Sequence, residues 1–345
     1  MDIKKFHDEL LASDEFAQYS LRATFFVRRI RGLRLWEAIQ EVSKLVRVEN
    51  GFDWSNPRSL GIEAHAWERA QEKQIHPLLV FCHPRILSQQ PALLRYYRTV
   101  ALISQKGLGA LVGGNVAAIE AGWSQRLSVE SISKIVITLN SIISAMLKGA
   151  ADIDARDLPG YQFASAGATI QGSWNNAVGA AGEEAIRTIL IQHLRGELEQ
   201  VAWRDSTASD YTPEMHTELI DRVADVRILR LKGGYHLCFA SEPDVSLRDP
   251  RGLPLLSVEV KAGADPAGSL ERLGAAMKSF ENDRNLNPRV KTVYVVRALT
   301  PELQRRISHS KPFDYTFSLS DLLVSDRTQK TFANLVVRAM LKNKN

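Results

Sequence analysis

The sequence predicts an α+β protein in two parts: an all-helical N-terminal domain over residues 1–155, then a domain over residues 156–345 in which a β-sheet is flanked by helices. Three observations carry this. From Asp2 to about Lys148, apolar residues recur at three- and four-residue spacing, the period of an amphipathic helix. From Val226 to Phe317, short runs rich in Val, Ile, Leu, Tyr and Phe are bounded by clusters of Gly, Pro and Asp, the pattern of strands and turns. Between Gly149 and Gly172 the chain turns rich in Gly, Ala, Asp and Ser, and Pro159-Gly160 marks a turn, so the boundary is placed there.

Composition narrows the function. The chain has 345 residues, a net charge of +5 and ordinary apolar content, enough for a substantial core. Its charge is unevenly spread: Lys and Arg exceed Asp and Glu by five over residues 1–150, fall short by seven over 151–250, and exceed them by seven over 251–345. An acidic middle between basic flanks suits a polyanionic partner. The two cysteines, Cys82 and Cys238, form no CxxC pair and no metal-ligand spacing, which argues against zinc and against a disulfide framework. Neither end reads as a leader and no long apolar span stands out, so a cytoplasmic protein without membrane contact is expected.

The helical part begins with Phe6, Leu10 and Leu11 on one stripe, then Leu35, Ile39, Val42, Leu45 and Val46 on another. Pro91 opens a helix through Leu94, Tyr97 and Val100, and Ser128 caps one running through Ile132, Ile135, Leu139 and Ile143. Arg28, Arg29, Arg31 and Arg34 cluster around Gly32, either as phosphate contacts or as a solvated helix end. Gly107 to Gly114 lacks the Gly-Lys-Ser/Thr of a phosphate loop and follows no strand, so it reads as a helix terminus and no nucleotide cofactor is expected.

In the second part a helix from Ser173 to about Leu194 carries Glu183 and Glu184. Ile186 and Leu190, three and seven residues past Glu183, face inward, so Glu183 lies at the edge of the buried stripe and Glu184 is turned about 100° further round. After a polar stretch from Arg204 to Tyr211 and a short helix near Glu214 to Arg222, a glycine-turned hairpin spans Val226 to Phe239. A second hairpin, EPDVSLRDPRGLPLLSVEVK from Glu242 to Lys261, holds Asp244 in one strand and Glu259 and Lys261 on one face of the next. Two carboxylates converging beside a lysine suit a divalent cation and an activated water; a plain amphipathic hairpin with a surface ion pair is the alternative. There follow a loop from Gly263 to Gly268, a helix with Leu270, Leu273, Met277 and Phe280 on one stripe, a buried strand at Val293 to Val296, a helix from Pro301, a strand around Tyr315 to Phe317, and a last helix capped near Ser320.

This order, with Glu183 on a helix, Pro243-Asp244 and then Glu259-Val260-Lys261 on strands, resembles the PD-(D/E)xK nuclease superfamily over roughly residues 173–318, and the size and helical extension look like a type II restriction endonuclease. The segments Phe81-Cys82-His83-Pro84, Tyr96-Tyr97-Arg98 and Ser104-Gln105-Lys106 are similar to N-terminal stretches of XamI-like or XcyI-like enzymes. The resemblance implies a restriction-endonuclease-like core with a mixed sheet. It implies Mg²⁺ bound by Asp244, Glu259 and the backbone carbonyl of Val260, with Lys261 polarising the attacking water. Glu183, or Glu184 if the helix is rotated, would hold a second ion or a water. The substrate would be double-stranded DNA, cut to 5′-phosphate ends. Base readout is expected from Lys278, Arg284, Asn285, Asn287 and Arg204, with Arg28 and Arg31 as further contacts, and a homodimer is the default for a palindromic target. A non-catalytic DNA-binding protein on the same fold and a structure-specific repair or junction nuclease remain open alternatives.

Overall fold

A computed structural model describes residues 3–342 apart from 14, 49–50, 124–125, 151, 205–206, 241, 264–268 and 298. The loop expected from Gly263 thus lies, beyond that residue, outside the described residues. Backbone contacts divide the chain into two units, Arg22–Trp174 and a second made of Met1–Leu21 with Asn175–Asn345.

The second unit is built on an eight-stranded sheet. Its strands are β1 (Leu198–Trp203), β2 (Ser209–Asp210), β3 (Val226–Leu231), β4 (Tyr235–Phe239), β5 (Val245–Arg248), β6 (Pro254–Lys261), β7 (Lys291–Val296) and β8 (Tyr315–Ser318), in the order β2-β1-β3-β4-β5-β6-β7-β8. Pairings from β2 to β6 are antiparallel, and β6, β7 and β8 run parallel. The sheet is therefore mixed, as expected. Connection length explains the switch: Gly233 and Gly234, both at φ +79°, turn β3 into β4 within a few residues, whereas β6 reaches β7 through helices Ser269–Ser279 and Glu281–Leu286. Val258 pairs with Val245 on one side and Val293 on the other, so β6 is central and nearly all of it is buried.

The first 21 residues join this unit through a polar clamp. The Arg297 guanidinium, just past β7, donates to the carbonyls of Leu10, Leu11 and Ser13 at 3.1, 3.2 and 2.7 Å, satisfying carbonyls that the helix Ile3–Ala12 leaves open at its end. The backbone N–H of Arg297 donates to the carbonyl of Lys261 at 3.1 Å.

Several elements differ from the sequence reading for identifiable reasons. β2 falls in the polar stretch from Arg204 to Tyr211, and β1 precedes it, where no element is expected; a register shift between Leu198 and Gln200 breaks the two-residue alternation that would mark β1 as a strand. The long helix begins at Leu158, not Ser173, because Pro159 falls in its first turn, where a missing N–H costs nothing. The division between the two units falls inside this helix. In the helix Ser269–Ser279 the inward residues are Leu273 and Ala276, followed by Phe280, while Met277 is 42% exposed and the side chain of Leu270 lies outside the described residues. Ser318, rather than Ser320, caps the tail, which is two helices, Leu319–Val324 and Asp326–Lys342.

The unit Arg22–Trp174 is helical among its described residues, around a core that includes Leu78, Phe81, Leu87, Leu94, Tyr97, Leu139 and Ile143. Ser128 caps the helix Val129–Gly149 by accepting from Ser131 N–H at 3.1 Å. That helix is long and apolar enough to cross a membrane by length and composition, which the sequence reading did not credit; its residues Ile132, Ile135, Val136, Leu139, Ile143 and Leu147 are buried in this core. Arg98 and Glu120 form a buried ion pair here, joined by Gln105, whose amide donates to Glu120 at 2.7 Å.

Candidate active site

The carboxyl end of β6 gathers the charged residues. Asp244 sits in a bend just before β5 rather than within a strand, and its Oδ2 accepts the backbone N–H of Val260 at 2.7 Å. The aspartate side chain thus takes the place of a ladder partner where β5 has not yet begun. Glu259 and Lys261 share a face by strand alternation, and Nζ of Lys261 bonds Oε1 of Glu259. Oε2 of Glu259 accepts the hydroxyl of Ser279, the last residue of the helix that follows. Asp244 is 5% and Glu259 3% exposed.

The long helix Leu158–His193 brings up Glu183. Gly182 allows the approach: a Cβ there would stand 2.4 Å from Cβ of Ala262 and 3.4 Å from Cγ1 of Val260. Glu183 accepts from Arg187, one turn on, at 3.0 Å, and the Arg187 guanidinium lies 5.1 Å above the Phe239 ring. Glu184 turns to the first helix instead, where its Oε2 lies 2.8 Å from Nδ1 of His7.

The electrostatics follow from burial. Desolvation, and next the charge of Glu259, push the Asp244 carboxyl up from 3.8 to about 7, against the Val260 hydrogen bond. The Glu183 carboxyl is also raised, first by burial, while Arg187 and Lys261 oppose the rise and Glu259 adds to it. Because the folded state holds the Asp244 proton more tightly than the unfolded chain, stability contributed by this group is present at low pH and is lost as pH rises from about 4 to about 7. In EDTA the urea midpoint is therefore expected to fall over that window. Asp244→Asn should reduce the fall, leaving the share due to Glu183, and should raise the midpoint at alkaline pH; an unaltered slope in the variant refutes the assignment.

Among the described residues, no three His, Cys, Asp or Glu side chains stand close enough to cage an ion by themselves. The donors still suit Mg²⁺, which keeps several waters and takes one or two carboxylates rather than a full protein cage. Asp244, Glu259 and the Val260 carbonyl are hard oxygen donors, and the upward shift of Asp244 marks buried negative charge that a cation would offset.

The remaining sequence candidates divide. Arg284 donates to the Pro312 carbonyl at 2.6 Å and Asn287 to the Pro254 carbonyl at 2.7 Å, so both side chains tie their helix end to segments remote in the sequence. Lys278, Asn285, Arg204, Arg28 and Arg31 are exposed. Sequence reasoning missed Arg187, Ser279 and His7. The four-residue spacing from Glu183 could have flagged Arg187; nothing local marks the other two.

A family model described as XcyI restriction endonuclease matches residues 62–330. The chain is 24% identical over 323 residues to the type II restriction enzyme Cfr9I of Citrobacter freundii, covering 88% of this chain and 89% of that one. It is 26% identical over 223 residues to the type II restriction enzyme XcyI of Xanthomonas campestris pv. cyanopsidis, covering 60% of each.

Proposed function

Since the chain belongs to the XcyI restriction endonuclease family, and so is a type II site-specific deoxyribonuclease, we propose that it hydrolyses double-stranded DNA with Mg²⁺ held by Asp244, Glu259 and the Val260 carbonyl, leaving 5′-phosphate and 3′-hydroxyl ends. The observation that carries this reading is the bond from Val260 N–H to Asp244, which sets one buried carboxylate beside the strand end that bears Glu259 and Lys261.

A bound Mg²⁺ supplies polarisation of a phosphoryl oxygen and a water more acidic than bulk water. Asp244 would help hold that ion while its Oδ2 stays tied to the backbone. Lys261, less buried than its partner, orients the attacking water through Nζ and offsets the charge that develops on the phosphate. Glu183, oriented by Arg187, would hold a second ion or a water beside Lys261. Lys278, Asn285 and Arg204, with Arg28 and Arg31, serve as DNA contacts, and two copies act together on a two-fold symmetric target in the cytoplasm.

Digestion of plasmid DNA tests the whole reading. Discrete bands should appear with Mg²⁺ and vanish in EDTA, the ends should ligate without prior phosphorylation, and the complex with cut-site DNA should contain two copies by light scattering. Ends that need a kinase before ligation, or cutting that persists without divalent ions, would sink it.

A further inference from the structure

Both oxygens of the Glu259 carboxylate are taken by side chains of this chain, and the two partners differ in kind. Oε1 is held by Nζ of Lys261, at the end of a long side chain that is 23% exposed. Oε2 is held by the hydroxyl of Ser279, which is short, 6% exposed and fixed at the end of a packed helix. A carboxylate buried this deeply needs donors for its lone pairs. Tyr294, paired in register with Glu259 on β7, is not one of them: its hydroxyl is buried and has no hydrogen-bond partner among the described residues. If Lys261 is to turn toward a phosphate and its water, it must release Oε1, whereas Ser279 can stay on Oε2.

We infer that Ser279 is a positioning residue for metal binding: by locking Oε2 of Glu259 it leaves Oε1 alone to face a divalent cation. The inference rests on the reading of Glu259 as a metal ligand.

Ser279 is not needed to hold its helix in place. Leu273, Ala276 and Phe280 bury themselves against Tyr294 and Phe313. In the next helix, Asp283 accepts from the hydroxyls of Ser246 and Ser257 at 3.2 and 2.6 Å and from the Arg248 guanidinium at 3.3 Å, pinning the helix pair to β5 and β6. With those anchors intact, losing one hydroxyl should leave the fold standing and change the carboxylate it orients.

The test is a titration of the full-length protein with Mn²⁺, following free Mn²⁺ by EPR in the absence of DNA. Ser279→Ala is expected to raise the half-saturating Mn²⁺ concentration by about 10–100-fold, the usual cost of removing a partner that orients a metal ligand. Ser279→Thr, which keeps a hydroxyl, should bind nearly as the wild type does. Cleavage by the alanine variant should recover at high Mg²⁺, an effect on metal affinity rather than on the maximal rate. An alanine variant that binds Mn²⁺ like the wild type, or a threonine variant as weak as alanine, overturns the inference. Should the alanine variant fail to fold, Ser279→Val against Ser279→Thr decides the same point, since the two share a shape and differ in the hydroxyl; equal affinities overturn it. Failure of the underlying reading looks different: wild type and Asp244→Ala would then take up Mn²⁺ alike.

Discussion

Lys261→Ala is expected to slow single-turnover DNA cleavage by roughly 10²–10⁴-fold, the range spanned by losing one charge-stabilising donor and one proton-handling group. The same substitution should barely change DNA affinity measured with Ca²⁺. Two properties of the site set the size of the effect. Lys261 is the ammonium on the face of β6 that carries Glu259, and the Arg187 guanidinium cannot replace it, being engaged with Glu183 and stacked over Phe239. Removing Lys261 also leaves the buried Glu259 with Ser279 as its remaining donor, so the carboxylate loses charge balance as well as a catalyst. Asp244→Ala should be at least as damaging, because it deletes an oxygen donor and strips the Val260 N–H of its acceptor. Cleavage by either variant within about tenfold of wild type would remove the residue from the chemistry, since neither donor nor acid–base roles are that small.

How much of this could be read from the chain depended on how local each signal is. The strands from β3 to β7 were legible because their apolar runs are closed by turn formers within a few residues. Glu259 and Lys261 were legible as a pair because strand alternation alone puts them on one face. The different surroundings of Glu183 and Glu184 were not, because the partner of Glu184 is a histidine 177 residues away in the sequence, His7. The start of the long helix was hidden by Pro159 and the glycines after it, residues that oppose helix on average yet cost little in a first turn or an uncrowded face. Ser279 carries no signal of its own, since a serine at the end of a helix is commonplace and its partner lies 20 residues back. The grouping of the first helix with the sheet was equally remote, resting on His7 and on Arg297, which reaches carbonyls 287 and 284 residues away in the sequence.

Gly182→Ala is expected to cut cleavage by about 100-fold, because a displacement of order 1 Å at a catalytic group costs that much. Alanine is the better helix former by about 1 kcal/mol, so propensity alone favours the substitution. Space decides against it. The new Cβ would stand 2.4 Å from Cβ of Ala262, and that neighbour is a short side chain on the backbone directly after Lys261, with no flexible end to swing aside. The helix or the strand end must move, and Glu183 and Lys261 are the residues adjoining the contact on either side. A stability loss of about 1–3 kcal/mol from overpacking should accompany the loss of activity. The compensating change is Ala262→Gly, which removes the opposing Cβ, so the double variant should cleave faster than Gly182→Ala alone and the two effects should be non-additive. Additive effects in that cycle would mean that the close approach of helix to strand does not set the geometry of the site, and that Glu183 owes its position to Arg187 instead.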